Sequence, residues 1–490
     1  MGFGRVGLVV RLAGVAGLVA LVMSGCGGSA LSGLGQPTYY VDAVHGQDSN
    51  SGASPTSPLR TLAAVNERSY RGGQKILLHG GQRFAGSITL GTGNLSGTSR
   101  RSPLTISSYG GGRATILAPP GAAGIAVTNR AGVVVSDLKI VGTGDGCRTP
   151  TKSGYLFGAS GIQFVARSIH GTLAQGVTIN DLDVSRFCNG IVFASGDDGS
   201  RISHIRIIAV SAHDNADAGI WTYDQAMARH SIRDVTVSRS RAYRNEGRGG
   251  IVLFGVDGGV VERSIAFDNG RAAAGSVGIW AFDSNRILFA HDESYGNGSP
   301  GNTTDGDGFD FDRGVSNSVM EDNYSHGNGG AGFLVCSCNL SNYPFYHMRN
   351  DVLRSNVSQN DGSSGQPSLF VYGGEVMTGI QLVSNRVSSA SGAGPLVEVT
   401  GCVGCQGLTL GANYPHGRPY TDVRFRGNSF VSEGGKPLLQ VNPGSATKLV
   451  FQGDSWRADE GRFLVTFGDH HLLTPAAWHA LAPNDRPAQQ

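Results

Sequence analysis

Four aspartates lie within eight residues near the middle of the chain: Asp305, Asp307, Asp310 and Asp312. Carboxylates this close repel one another unless a proton or a cation lies between them. The stretch therefore predicts a calcium site, the acid–base pair of a glycoside hydrolase, or only a solvated turn with a structural cation. In the first case the metal ligands are Asp305, Asp307 and Asp310. In the second the catalytic residues are Asp310 and Asp312.

Aromatic residues recur ahead of the aspartates. The set consists of Trp221, Tyr223, Phe254, Trp280 and Phe282. Flat rings on one surface are stacking platforms for sugars, and an exposed row of them forms an apolar patch large enough to indicate a binding site. We therefore predict that this row binds a chain of sugars that leads to the aspartates. A loop that covers the row, or a dimer contact, is the alternative.

A doublet of glycine and a large apolar residue defines the frame that positions these side chains. It begins at Gly161, Gly190, Gly219, Gly250, Gly278, Gly308 and Gly332, at intervals of 24 to 31 residues. This period, with short β-rich segments, predicts one coil of a β-solenoid per repeat. Because side chains alternate along a strand, the apolar first and third columns after each glycine should face the interior. The second and fourth columns, which contain Asp310, Asp312 and the aromatic row, should face outwards.

Asparagines and flat rings repeat in step with the doublet. The asparagines are Asn215, Asn245, Asn269, Asn297 and Asn328, and Asn360 continues the series. Their spacing predicts a ladder of side-chain amides that bond between neighbouring coils. Two residues ahead of the first five asparagines are His213, Tyr243, Phe267, Tyr295 and His326. A column that accepts any flat ring favours a stacked structural ladder over catalytic histidines.

The composition of the 490-residue chain fits one elongated solenoid. A single hydrophobic core stops growing near about 250–300 residues, whereas a solenoid grows by repetition. Glycine accounts for 76 residues and charged residues for 16% of the chain. The formal net charge of +2 gives no basis for binding nucleic acid by bulk attraction. We expect a monomer whose partner is a polysaccharide.

The first residues predict export. Arg5 and Arg11 flank the start of an apolar run that continues to Met23 and is followed by small residues. This is the pattern of a secretory signal, and residues 23–26 resemble a bacterial lipobox in which Cys26 becomes the lipidated N-terminus. Ordinary signal cleavage is the alternative. We expect the protein in the cell envelope, in contact with the membrane through the N-terminal lipid only, or secreted.

Six further cysteines would enter an oxidising compartment, where disulfides are the default. They are Cys147, Cys188, Cys336, Cys338, Cys402 and Cys405. We favour the pairs Cys147–Cys188 and Cys402–Cys405, although the sequence leaves other pairings open. The rival interpretation is a zinc site formed by the last four cysteines.

The segments around the repeats resemble a known family. They are residues 39–42, 46–52, 58–62 and 80–84 near the N-terminus and 473–478 near the C-terminus. Together they are similar to the signatures of bacterial pectate-lyase-like proteins, over roughly residues 38–480. The resemblance implies an all-β fold, a right-handed parallel β-helix with an N-terminal cap. Residues 60–66 are expected to form a short helix in that cap.

Domain boundaries follow from these features. We expect a lipoprotein-type signal peptide at 1–25, a flexible tether at 26–37, the N-terminal cap and first coils at 38–110, the parallel β-helix at 111–470 and a C-terminal tail at 471–490. Further rungs beyond the glycine doublets are expected at 368–371, 395–399, 437–441 and 463–465.

The aspartate stretch is similar to the D-G-F-D element of β-helix uronate lyases, whose aspartates hold a Ca²⁺ that neutralises the substrate carboxylate. The resemblance implies that Asp307, Asp310 and Asp312 are the metal or acid residues. It also implies that the protein is a calcium-assisted lyase acting on a uronic-acid-containing polysaccharide.

The base of such a lyase is harder to assign. The family often uses a lysine, and this chain has none between Lys152 and Lys436. We therefore take Arg248 as the candidate base. The other basic candidates are Arg244, Arg313, His213 and His326. Asp217 and Arg248 each lie two residues before a doublet on adjacent coils, so the two also fit a salt bridge between coils.

Two other functions remain open in the sequence. Residues 302–305 are similar to the N-T-D element of polygalacturonase-like hydrolases with one residue inserted. A glycoside hydrolase would use Asp310 and Asp312 as its two carboxylates. The third possibility is a non-catalytic surface protein that binds polysaccharide through the aromatic row. The missing lysine favours this third possibility.

Overall fold

The chain folds into a parallel β-helix in which each strand pairs with the equivalent strand of the next coil. The computed structural model describes residues 37–144, 147, 159–167, 169, 171–196, 198–225, 229–272, 275–301, 305–337, 348–373, 377–390, 392, 394–401, 422–442, 449–459, 463–472 and 474–485. The predicted signal peptide, most of the tether and Cys26 lie outside these residues. No helix among the described residues is long and apolar enough to cross a membrane.

One side of the solenoid is a 14-stranded sheet, here called the doublet sheet because it contains the glycine doublets. Its strands pair in parallel except the last two, which are antiparallel. Numbered in chain order, they are β5 (Ile88–Leu90), β9 (Ile125–Thr128), β11 (Ser160–Ala166), β13 (Asn189–Ser195), β16 (Ala218–Asp224), β19 (Gly249–Phe254), β22 (Val277–Phe282), β25 (Phe309–Phe311), β28 (Phe333–Cys336), β32 (Leu369–Gly373), β35 (Val397–Gly401), β38 (Leu439–Val441), β41 (Val465–Phe467) and β42 (His470–Leu472).

The remaining sides form one 26-stranded sheet made of two rows. The first row is β1 (Thr38–Val41), β3 (Lys75–His79), β7 (Leu104–Tyr109), β10 (Val133–Val141), β12 (Leu173–Ser185), β14 (Arg201–Ile208), β17 (Ile232–Ser238), β20 (Val256–Glu262), β23 (Asn285–Ala290), β26 (Val319–Glu321), β29 (Met348–Arg349), β30 (Val352–Arg354), β33 (Met377–Val383), β36 (Asp422–Arg426) and β39 (Leu449–Gln452). The second row is β4 (Arg83–Ala85), β8 (Ala114–Leu117), β15 (Ser211–His213), β18 (Arg241–Tyr243), β21 (Ile265–Phe267), β24 (Glu293–Tyr295), β27 (Tyr324–His326), β31 (Val357–Gln359), β34 (Arg386–Ser389), β37 (Ser429–Ser432) and β40 (Ser455–Ala458). The long strands β10 and β12 pair with both rows and join them.

The ends of the solenoid have a different structure. Helix α1 (Leu62–Asn66) begins at Thr61, whose hydroxyl accepts a hydrogen bond from the amide of Ala64, so the expected short helix is present; its role as a cap remains a prediction. Strands β2 (Tyr70–Arg71) and β6 (Leu95–Ser96) form a separate pair. At the other end, helix α2 (Pro475–Leu481) carries the fully buried Trp478. Its ring packs 5.6 Å from that of Trp456 in β40.

The predicted inside columns are present and in register. The first column runs through Ile162, Ile191, Ile220, Ile251, Ile279, Phe309 and Phe333, all at most 2% exposed. It continues through Leu369, Val397, Leu439 and Val465. This register confirms both the period and the further rungs. The inward side chains form one continuous hydrophobic core.

The asparagine ladder is confirmed, with one correction. Each amide nitrogen donates to the Oδ1 of the next coil at 2.8–3.0 Å, from Asn215 to Asn328. The next member is Asp361, whose Oδ1 accepts from Asn328 at 2.8 Å. The prediction that Asn360 continues the series is wrong. Asn360 has a left-handed backbone (φ 56°), and its Oδ1 accepts from the amide of Ala390 instead.

The glycine doublets and the asparagine ladder are parts of one packing arrangement. A Cβ added to Gly219 would lie 2.8 Å from Nδ2 of Asn245, and one added to Gly278 would lie 2.7 Å from Nδ2 of Asn297. These separations are too short for a side chain. Glycine therefore recurs because the ladder amide of the next coil packs against its backbone.

The cysteine predictions are partly confirmed. Cys147 and Cys188 form a disulfide, with 4.6 Å between their Cα atoms. Cys336 is also disulfide-bonded, which excludes it as a thiolate ligand of zinc. Cys338, Cys402 and Cys405 lie outside the described residues.

Candidate functional site

The aspartate stretch forms β25 and the turns beside it. Phe309 and Phe311 point into the core and are fully buried, so Asp310 between them points to the opposite side, here called the outer face of the doublet sheet. The expectation that this carboxylate is aimed at solvent is wrong. Asp310 is 3% exposed and Asp307 is fully buried, while the side chain of Asp312 retains 15% of its surface.

Apolar neighbours on the adjacent coils explain the burial of Asp310. Its register partners are Trp280 in β22 and Leu334 in β28. Trp280 packs at the edge of one apolar cluster on the outer face. Leu334 belongs to a second cluster, formed with Ala331, Cys336 and Phe370 and flanked by Tyr372. The carboxylate thus lies between two apolar clusters, where an ionised form is disfavoured.

Asp310 and Asp312 differ in the surroundings that raise or lower their pKa values. Burial raises the pKa of Asp310 well above its ordinary range, and the carboxylates of Asp312, Asp307 and Asp305 raise it further. Burial also raises the pKa of Asp312, but Arg313 opposes that shift. The amide of Arg313 donates to Asp312 Oδ1 at 2.7 Å, and its guanidinium lies 3.6 Å away. Arg313 opposes the shift at both groups, but only Asp312 also receives its hydrogen bond, so the pKa of Asp310 is raised further and Asp310 keeps its proton to higher pH.

The arrangement of carboxylates bears on the predicted calcium site. Within the part of the chain that the structure describes, Oδ2 of Asp307 and Oδ1 of Asp310 are buried without a hydrogen-bond partner. Burial and Asp305 raise the pKa of Asp307 well above its usual range. Ligands of one calcium ion lie within about 5 Å of one another, because Ca–O distances are about 2.3–2.6 Å. Among the described residues, the side chains whose potential metal-binding atoms all lie within 4.8 Å of one another are those of Cys147, Cys188 and Asp217. Carboxylates suit calcium, but Asp305, Asp307 and Asp310 do not converge in this way.

The aromatic row lies on the outer face, as predicted, but it is not exposed. Trp221, Tyr223 and Phe254 are 1%, 2% and 5% exposed. Such large neighbouring rings bury one another and pack with aliphatic side chains near them. The cluster's other members are Val165, Val192, Ala194, Ala218 and Val252. The prediction of an exposed sugar platform is therefore wrong for these three rings. Trp280 and Phe282, next to Asp310 and Asp312, are partly exposed.

Arg248 has the surroundings of a structural residue. Its guanidinium donates to Asp217 Oδ2 at 2.5 Å, and its amide donates to Oδ1 at 3.0 Å. The guanidinium also lies 4.4 Å from the ring of Trp221, and the carbonyl of Arg248 accepts from the indole of Trp280. The salt bridge between coils is confirmed. A role for Arg248 as base is untested.

The predicted ring ladder is confirmed. Consecutive rings from His213 to His326 stack with centroids 4.7–5.0 Å apart and planes within 13° of parallel. His213 also bonds Asp183 and Asp214, and His326 bonds Glu293. The ladder belongs to the second row of the 26-stranded sheet. It is therefore on a different sheet from Asp310.

One acidic residue of the outer face was missed by the sequence reasoning. Glu398 lies in the second column of β35, in the same series as Asp310. It falls within the predicted rung 395–399. The available signal was a charged residue at an outward position between buried Val397 and Val399.

Known proteins share this architecture. The family model described as right handed beta helix region matches residues 160–341 and 203–406. The lacto-N-biosidase of Bifidobacterium longum is 22% identical over an alignment of 515 residues, covering 83% of this chain and 31% of that protein. The chain thus spans about a third of the length of this curated relative.

Solved structures are similar at the level of the fold. The GH136 lacto-N-biosidase from Eubacterium ramulus has a TM-score of 0.58 at 15% identity, covering 88% of this chain and 68% of that one. The A-module of the Azotobacter vinelandii mannuronan C-5 epimerase AlgE4 has a TM-score of 0.51 at 15% identity, covering 84% and 95%. The two family-model matches together span residues 160–406, half of the sequence. The chain belongs to the right-handed β-helix family.

Proposed function

We propose that the protein is a carbohydrate-active enzyme that hydrolyses a glycosidic bond, with Asp310 as acid and Asp312 as the second carboxylate. One observation carries this proposal: the two neighbouring carboxyl groups have opposed environments. Apolar clusters surround Asp310, whereas Arg313 stabilises the charge of Asp312. Groups whose surroundings push their pKa values apart are suited to acid and base roles.

The proposed catalytic roles of Asp310 and Asp312 follow from these environments. Asp310 retains a proton and can donate it to the leaving glycosidic oxygen. Asp312, whose negative charge Arg313 stabilises, either attacks the anomeric carbon or activates a water molecule, depending on the separation of the two groups around the substrate. Trp280 and Phe282 offer partly exposed rings beside them for a sugar ring. Two similar proteins are named lacto-N-biosidases, which supports a glycan substrate.

A calcium-assisted uronate lyase is the second candidate. The buried oxygens of Asp307 and Asp310 that lack a hydrogen-bond partner among the described residues favour it, because a bound cation would supply the missing contact. Calcium would neutralise the substrate carboxylate, and Asp307 and Asp310 would hold the ion.

The non-catalytic binder loses its main support because most of the aromatic row is buried. We propose that the protein is either anchored in the cell envelope through Cys26 or secreted, and the Cys147–Cys188 disulfide supports export to an oxidising compartment.

Product chemistry tests the proposal. The full chain is incubated with neutral and uronic-acid polysaccharides, with and without EDTA, while reducing ends and ultraviolet absorbance are followed. We expect reducing ends without absorbance and no effect of EDTA. Asp310→Asn should lower the rate about 10²- to 10⁴-fold, the usual contribution of a general acid. The matched control Asp322→Asn, at an exposed position, should not.

Other outcomes identify the alternatives. Absorbance that disappears with EDTA would replace hydrolysis by calcium-assisted elimination. Binding without either product would favour the non-catalytic protein. Full hydrolysis by Asp310→Asn would reject the assignment of the acid.

A further inference from the structure

The outer face of the doublet sheet continues past the aspartates to a second polar position. Register places Asp310, Leu334, Phe370, Glu398 and Gln440 in one column. Neighbouring coils are about 4.8 Å apart, so Glu398, three coils after Asp310, lies about 14 Å from it along the solenoid. A single sugar ring does not span that distance. Only a chain of sugars laid along the axis reaches both carboxyl groups.

Glu398 is a half-buried carboxylate, and burial raises its pKa. Among the residues that the structure describes, no hydrogen bond or cation opposes that shift. Phe370 is its neighbour on the preceding coil, and the ring of Tyr372 lies 5.2 Å from that of Phe370. Tyr372 pairs with Thr400, two residues after Glu398, so Tyr372 and Glu398 lie on the same face of adjacent strands. Burial and the charge of Glu398 raise the pKa of Tyr372. Apolar rings beside a polar group are a common composition of a ligand-binding surface.

The acidic residues of this face disfavour an acidic sugar beside Glu398. Between Trp280 and Gln440, the charged residues among the described positions of the two outside columns are Asp310, Asp312 and Glu398, all acids. A uronate next to Glu398 would bring two carboxylates together in a partly desolvated site, where repulsion is stronger than in water. Sugar hydroxyls, in contrast, can donate hydrogen bonds to the carboxylate.

We propose that Glu398 and Tyr372 form a specificity subsite that binds an uncharged sugar unit remote from the cleaved bond. The inference rests on the proposed function, since it takes Asp310 as the point of cleavage. It names the substrate class as an oligosaccharide or polysaccharide of several units that is neutral at this subsite. Glu398 accepts hydrogen bonds from the hydroxyls of that unit, and Tyr372 packs against its ring.

Binding measurements on a non-hydrolysing protein test this subsite. The parent is the full chain with Asp310→Asn, titrated calorimetrically with cellohexaose, mannohexaose, chitohexaose and hexagalacturonate, and with the corresponding disaccharides. We expect a neutral hexasaccharide to bind best. Adding Glu398→Gln should weaken that binding about tenfold, about 1.4 kcal/mol, and leave the affinity for the disaccharide unchanged. Adding Glu398→Lys should shift the preference towards hexagalacturonate.

The control is Glu67→Gln in the same parent, which removes the charge of an exposed glutamate near α1 and should leave every affinity unchanged. Equal affinities of the parent and Glu398→Gln for all hexasaccharides, including undetectable binding by both, would overturn the inference. So would tightest binding of hexagalacturonate by the parent. Failure of the proposed function is seen separately, as hydrolysis that survives Asp310→Asn while the effect of Glu398 on binding persists.

Discussion

The asparagine ladder and the aspartate stretch are two buried polar regions of the same coils with opposite chemistry. In the ladder, each amide donates to the next coil and accepts from the previous one, so Asn245, Asn269 and Asn297 are all satisfied. Asp307 and Asp310 belong to no such chain of hydrogen bonds, and among the described residues each has a buried oxygen without a hydrogen-bond partner. The ladder stabilises the fold, whereas the aspartates destabilise it. Such a local conflict is expected where a site serves function.

The ends of the ladders support this contrast. A second ladder runs through Asn323, Asn356, Asn385 and Asn428 and finishes at Asp454. The first finishes at Asp361. The last member only has to accept hydrogen bonds from the coil before it, and a carboxylate does that as well as an amide. Aspartate is therefore compatible with the end of a ladder, but its carboxylate has no N–H group that could donate a hydrogen bond to the next coil.

Replacing the ionisable carboxyl group of Asp310 should give the largest effect. Its folded-state pKa is raised above the unfolded value of about 3.9. Between these two values the unfolded chain has lost a proton that the folded protein keeps, so stability falls by about 1.4 kcal/mol for each pH unit. Asp310→Asn lacks this penalty, and its advantage in free energy of unfolding should grow with pH through that window. Denaturant titrations at several pH values measure it. If the free energy of unfolding changed with pH in the same way in wild type and variant, the conclusion that folded Asp310 retains its proton would be falsified.

Breaking the ladder should give a large effect of opposite sign. Asn269 accepts two hydrogen bonds from Asn245 and donates to Asn297 and to the carbonyl of Ala242. Asn269→Ala leaves buried partners unsatisfied and should lower the free energy of unfolding by about 3 kcal/mol. Gln452→Ala, which removes an exposed amide, is the control and should change it by less than about 0.5 kcal/mol. Equal effects of the two variants would contradict the stabilising role of the ladder.

The ring ladder should be less sensitive, because it stacks on the partly exposed side of the 26-stranded sheet. Phe267 stacks between Tyr243 and Tyr295 at 4.8 and 5.0 Å. Phe267→Leu loses both contacts and should reduce the free energy of unfolding by about 1 kcal/mol. Phe267→Tyr keeps a flat ring and serves as the control. A loss as large as that of Asn269→Ala would show that the rings carry as much stability as the amides.

The smallest effect concerns His213. Burial lowers its pKa, but hydrogen bonds to Asp183 and Asp214 outweigh this and raise it. The stabilisation from its charge is therefore fully present below the unfolded pKa of about 6.5 and is lost as pH rises through the folded value. His213→Phe keeps the ring and should be less stable than wild type by under about 1 kcal/mol at low pH only. A difference independent of pH, in the same denaturant titrations, would exclude this charge effect.

The sequence alone determined the features that repeat. The period of the glycine doublets predicted the coil, and the register from Ile162 to Phe333 followed from it. The amide and ring ladders were also predictable, because identical positions on successive coils contact one another. The ion pair between Asp217 and Arg248 was found in the same way. In a solenoid, sequence spacing translates directly into spatial neighbours.

The tertiary structure decided the features that depend on how side chains of neighbouring columns and coils bury one another. Periodicity placed Trp221 and Asp310 on the outer face but did not show that both are buried. It also favoured Asn360 over Asp361, because a shift of one residue changes which side chain reaches the ladder. Glu398 was not recognised until its neighbours Phe370 and Tyr372 were known. A repeat specifies towards which face of the sheet a side chain points, whereas its exposure and its pKa depend on the particular side chains of adjoining coils.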